Sequence, residues 1–313
     1  MISRRNIRVK VMQTLYTVST LETEVKPGEP QKILLNHFDQ TRQLFVYLTY
    51  FLTELCRYAE KDAHQRAGKH LPTYEDLHVN IRLAGNEVLW KMLGDESFKT
   101  ALKQTKPELL VDRELVKKIY HQLAETPEYR TYINKSERNS REEKEILEFV
   151  LDKMMLANES FTFHIEENFT NLEDDGDMVI QLLMNFLQRP GSINFAEMVT
   201  PDKLDFSKTL LKSVIEKGEH LQTLIVPKLK NWDPERIAVL DMILMKMGVA
   251  EFLYFETIPP KVTINEYIDL AKEYSTPQSG QFVNGILDNI HKELMQQGKM
   301  LKVDYKKVDK LNG

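Results

Sequence analysis

The segment PPKVTINEYIDLAKEYSTPQSGQFVNGILD, residues 259–288, constrains the fold of this chain most, because it marks two helix starts in quick succession. Pro259 and Pro260 cannot sit inside a helix, and Thr263 with Glu266 three residues on spells a T-x-x-E capping box. A helix is therefore expected over residues 264–273, with Ile264, Tyr267, Ile268 and Ala271 on one buried face. Thr276 and Pro277 then supply a cap and a first-turn proline for a second helix through Phe282, Val283, Ile286, Leu287 and Ile290. Its first turn, Gln278 to Gln281, offers unpaired backbone N–H groups, so a phosphate is expected to fit there. Asn284-Gly285, within the same helix, is expected to allow close helix approach.

The rest of the chain is consistent with an all-α protein. It has 313 residues, 42% hydrophobic content and only twelve glycines, and no run alternates as a half-buried strand would. Helices are expected over residues 3–19, 31–65, 74–93, 96–102, 115–123, 142–156 and onward to 188, then over 205–230 and 234–255. Turns are expected at Lys26-Pro27-Gly28-Glu29-Pro30 and at Arg189-Pro190-Gly191-Ser192. The first helix reads as amphipathic, with Ile7, Val11, Leu15 and Val18 on one side. Cys56, the single cysteine, is expected as a small buried hydrophobe. No secretion signal or membrane span is expected: the run from Leu44 to Leu55 is short and contains Glu54. A cytoplasmic location follows as an expectation.

A net charge of −5 argues against general coating of nucleic acid, so any such binding must come from a local patch. Arg4, Arg5, Arg8 and Lys10 form one. Lys292, Lys299, Lys302, Lys306, Lys307 and Lys310 form another, expected as a solvated tail. No catalytic or metal motif is present: the histidines are scattered, and neither a phosphate loop nor a nucleophile elbow occurs, so no cofactor and no enzyme are expected. The stretch Asn171 to Gly176 lacks the terminal glutamate of a calcium loop and is expected as an acidic turn. Glu142, Glu143, Glu145 and Glu148 are expected as a solvated helix face.

The C-terminal portion, residues 205–288, resembles the NusB family of transcription antitermination factors, through P-x-K-V-x-I-N-E, L-A-K and F-V-N-G-I-L-D. Arg4-Arg5, Arg8, Gln13, Leu15 and Tyr16 are similar to that family's arginine-rich first helix. The resemblance implies an all-helical, non-enzymatic factor that binds boxA-like RNA with a small-subunit ribosomal protein acting as NusE, within a transcription elongation complex. It also implies RNA contacts at Arg4, Arg5, Arg8 and Phe282, guanidinium groups on phosphates and a ring beside a base. Asp241 and Glu251 would meet the ribosomal protein. Ala250 and Gln278 depart from the family's usual residues beside these positions.

Roughly 180 residues separate the first helix from Asp205, well beyond what a compact half-domain needs. The expected organisation is a first helix over 1–20, an inserted helical region over 21–200, a C-terminal NusB-like bundle over 201–295 and a basic tail over 296–313. The rival to an RNA-binding factor is a helical protein-interaction scaffold that has kept the fold and lost RNA binding.

Overall fold

A computed structural model describes residues 2–21, 25–229, 236–300 and 302, and among them every regular element is a helix. In chain order these are α1 (Arg4–Thr20), α2 (Glu29–Ala67), α3 (Tyr74–Leu77), α4 (Glu87–Gly94), α5 (Glu96–Thr105), α6 (Arg113–Glu125), α7 (Pro127–Ile133), α8 (Ser140–Phe149), α9 (Glu159–Asn168) and α10 (Leu172–Gln188). Then follow α11 (Pro201–Glu216), α12 (Gly218–Ile225), α13 (Val239–Tyr254), α14 (Pro260–Tyr274) and α15 (Ser279–Gln296). The protein is all-α, as expected. Lys306, Lys307 and Lys310 of the expected tail, and Pro234 at the expected start of a helix, lie outside the described residues.

The chain divides into two compact units, one of residues 38–198 and one of residues 2–37 with the C-terminal part from 199. The first unit holds most of α2 and α3 to α10. Phe195, in the irregular stretch after α10, is fully buried, with its ring centroid 4.7 Å from Phe45, 4.8 Å from Phe98 and 5.0 Å from Phe186. Four aromatic rings thus anchor a segment without regular structure.

Several expectations for this unit are corrected. The single helix expected over 74–93 is broken: α3 ends at Leu77 and α4 starts after Asn86, whose side chain accepts from the Val88 and Leu89 N–H groups. Glu143 is not on a solvated face but fully buried. It accepts from the Tyr132 hydroxyl at 2.9 Å, from the Glu87 N–H at 2.9 Å and from Arg138 at 3.1 Å. A buried carboxylate needs such partners, and here they tie α4 and α7 to α8. The acidic stretch at 171–176 is no turn, since α10 starts at Leu172; Asp175 is buried and accepts from the Thr41 hydroxyl at 2.7 Å.

In the second unit α13 is the central helix. Its sequence, VLDMILMKMGVAEFLY, is apolar around most of its circumference, and it packs against α1, α11, α12, α14 and α15. Close approach occurs at Gly248, where an added Cβ would lie 2.8 Å from Leu287 and 3.3 Å from Tyr267. Gly285 does not serve that purpose: it is exposed, and an added Cβ would meet nothing within 4 Å. Opposite outcomes follow for one substitution. Gly248→Ala is expected to destabilise by about 1–3 kcal/mol through overpacking, whereas Gly285→Ala is expected to stabilise by about 0.5–1 kcal/mol through helix propensity. Urea unfolding of both variants checks this, and equal effects would contradict the packing described.

Candidate nucleic-acid interface

The first helix begins at Ser3, whose hydroxyl accepts from the Asn6 N–H as an N-cap. Beyond its first turn it is no surface helix. Residues 7 to 12 are all buried, Lys10 among them, because α1 packs against both α11 and α13. The expected single apolar stripe is therefore corrected: the middle of α1 is enclosed around its circumference and only its ends reach solvent.

That enclosure separates the three arginines. Arg8 is 2% exposed and Glu251 is fully buried, and they face each other. The Arg8 Nε donates to Glu251 Oε1 at 2.7 Å and its Nη2 to Oε2 at 3.0 Å, a two-pronged pair. The Tyr267 hydroxyl donates to Oε1 at 2.8 Å and the Thr263 hydroxyl to Oε2 at 3.0 Å. Each carboxylate oxygen therefore accepts two hydrogen bonds, which offsets its desolvation. The guanidinium also lies 5.6 Å from the Phe206 ring centroid and 5.9 Å from that of Tyr267. Burial alone would favour losing the Arg8 proton, but the hydrogen bond and charge of Glu251 outweigh it and hold its pKa above the ordinary guanidinium value. Burial, followed by the Glu251 charge, pushes the Tyr267 hydroxyl well up, so it stays a donor. Lys302 completes the cluster by donating to the backbone carbonyls of Glu251 and Phe255 at 2.8 and 2.6 Å, closing the C-terminal end of α13.

Arg8 and Glu251, expected at an RNA surface and a protein surface, are thus placed together inside the unit. The capping box expected at Thr263 and Glu266 is also corrected. The helix starts earlier, at Pro260, which leaves Thr263 buried inside it with its hydroxyl on Glu251. Glu266 instead lies 3.4 Å from Arg8 Nη1 and 4.0 Å from Arg5 Nη1.

Arg5 is 39% exposed and faces the acidic side of α14: its Nη2 lies 2.9 Å from Glu273 and its Nη1 3.6 Å from Asp269. Arg4 is exposed, its guanidinium carbon 5.7 Å from the Phe206 ring centroid. Phe282 is half-buried on α15.

Asp241, in the first turn of α13, is buried, and its Oδ2 accepts from the Ser279 hydroxyl at 2.8 Å. Ser279 and Thr276 exchange side-chain and backbone hydrogen bonds across the turn before α15; the helix itself starts at Ser279, so the expected cap at Thr276 and first-turn proline at Pro277 are corrected to a turn that precedes it. The expected phosphate place is corrected: Ser279 and Gly280 are buried, and Lys272 leaves no room for even a Cβ on Gly280. The Asp241 carboxylate stands against this turn through the Ser279 hydroxyl alone. Beside it, Val239 and Leu240 line a groove of about 640 Å³ with Met12, Tyr16, Tyr274 and Thr276. Among the described residues no cluster of three or more metal-ligating side chains occurs, and no helix is long and apolar enough to cross a membrane.

Sequence reasoning missed Thr263, Tyr267 and Lys302 as partners of Glu251. One signal was available: Glu251 is an acid in the apolar run of α13, and such a group requires a buried cation and donors. Glu251→Gln is expected to cost about 3–5 kcal/mol by leaving Arg8 buried without its counter-charge, against about 1 kcal/mol for Tyr267→Phe. Guanidinium unfolding of the two variants checks the ranking, and similar losses would contradict it.

Comparison with known proteins gives a family match over part of the chain. Residues 168–292 match the NusB family. Over 102 residues the chain is 41% identical to the transcription antitermination protein NusB of Salinibacter ruber (strain DSM 13855 / M31), covering 33% of this chain and 64% of that protein. It is 44% identical over 94 residues to a protein of the same name from Chloroherpeton thalassium (strain ATCC 35110 / GB-78), covering 30% of this chain and 44% of that one. A third, from Methylacidiphilum infernorum (isolate V4), is 45% identical over 83 residues, covering 26% and 58%. The chain thus spans less than two thirds of the length of these relatives. No solved structure matches.

Proposed function

We propose that this chain, with its NusB-family domain at residues 168–292, is a non-enzymatic transcription antitermination factor that binds RNA through the exposed end of α1. The observation that carries this proposal is 41% identity over 102 residues to a relative named for transcription antitermination. Arg4 and Arg5 would meet phosphates and Phe282 a base, in a boxA-like RNA. Arg8 contributes from inside, by holding α1 on Glu251 so that the preceding turn presents Arg4 and Arg5.

A small-subunit ribosomal protein acting as NusE would use the groove beside Asp241, where one oxygen of a buried carboxylate has no hydrogen-bond partner among the described residues. Membership of a transcription elongation complex in the cytoplasm belongs to the same proposal. The unit of residues 38–198 would hold most of the inserted region expected over 21–200, its last part, from residue 168, already falling within the family match.

The scaffold alternative draws on one observation, the pairing of Arg5 with Glu266, Asp269 and Glu273, which neutralises a charge that RNA would need. A titration of boxA-like RNA at several salt concentrations, with and without the ribosomal protein, separates the two. Binding by the whole chain is expected, with Arg4→Ala weakening it and reducing the salt slope by about 0.7 per lost phosphate contact. An unchanged affinity and slope would remove α1 from the interface. Binding of the ribosomal protein together with no binding of RNA at any salt would favour the scaffold.

A further inference from the structure

We propose that the acidic face of α14 is a built-in competitor for RNA at Arg5, an inference that rests on the RNA-binding role proposed above. Glu266, Asp269 and Glu273 stand at i, i+3 and i+7 of α14, on one side of the helix. All three converge on Arg5, at 4.0, 3.6 and 2.9 Å. The contact is graded by burial. Glu266 is 26% exposed and shared with buried Arg8, whereas Asp269 and Glu273 are about half exposed and reachable from solvent.

A guanidinium offers planar, paired donors that match a carboxylate and a phosphate equally well. Phosphate oxygens approaching Arg5 must therefore displace Asp269 and Glu273 or accept their repulsion. The displacement is affordable because exposed ion pairs are weak in water. It still sets a threshold: an isolated phosphate contact returns little, while an RNA that also engages other groups on the protein can make the exchange. The acidic face thus suppresses non-specific polyanion binding at the N-terminal turn that carries Arg4 and Arg5.

The test is a double-mutant cycle on the full chain, reading affinity for boxA-like RNA and for an unrelated RNA of equal length. Asp269→Asn with Glu273→Gln is expected to tighten binding of the unrelated RNA by about two- to tenfold at low salt, and of the boxA-like RNA by less. In an Arg5→Ala background that gain should disappear. Glu216→Gln with Glu219→Gln removes the same charge from exposed positions on α11 and α12 and should give a smaller gain, unaffected by Arg5→Ala. No gain from the α14 pair, or a gain that survives Arg5→Ala or is matched by the control pair, overturns the competitor. A wild-type chain that binds neither RNA at any salt overturns the RNA-binding role itself, a result distinct from unchanged affinity in the variants.

Discussion

The second unit depends on how one buried charge is satisfied. Glu251 sits in the most apolar helix of the unit, where an isolated carboxylate would not remain ionised. It is kept there by four donors from two elements: the guanidinium of Arg8 on α1, and the hydroxyls of Thr263 and Tyr267 on α14. Those donors come from sequence positions far apart, so the cluster closes only when α1, α13 and α14 have all docked. Removing any partner leaves the others buried and unmatched, which couples helix docking to a single chemical condition.

The same cluster decides what α1 can show to solvent. Its middle is enclosed, so the basic character of the N-terminal sequence divides into an internal cation, Arg8, and two outward ones, Arg4 and Arg5. The two sides of α14 take complementary parts: Thr263 and Tyr267 hold Glu251, while Glu266, Asp269 and Glu273 face Arg5. One helix thus fixes the arginine-bearing helix in place and sets the local electrostatic field around it.

Much of the architecture was legible in the sequence, because helix punctuation is local chemistry. The proline pair that opens α14, the Thr276-Pro277 turn ahead of α15 and the breaks around Gly28 and Gly191 are written in residues that restrict their own backbones. The site was less legible, because burial is a property of several helices at once. Spacing alone made Arg8 equivalent to Arg4 and Arg5, and made Glu143 equivalent to the less buried Glu142, Glu145 and Glu148 on α8. It also placed a close approach at Gly285, although the neighbour that needs room, Leu287, faces Gly248. Thr263 was read as a cap since T-x-x-E is the common signature, yet the proline pair opened the helix earlier and turned the hydroxyl inward.

The most direct test of the central claim is amide hydrogen exchange on wild-type chain and an Arg8→Met variant, resolved by segment. If the Glu251 cluster couples the helices, protection should fall together in α1, α13 and α14 while residues 38–198 keep theirs. Unchanged protection in α13 and α14, with loss confined to α1, would show that those two helices hold together without the cluster and would contradict it.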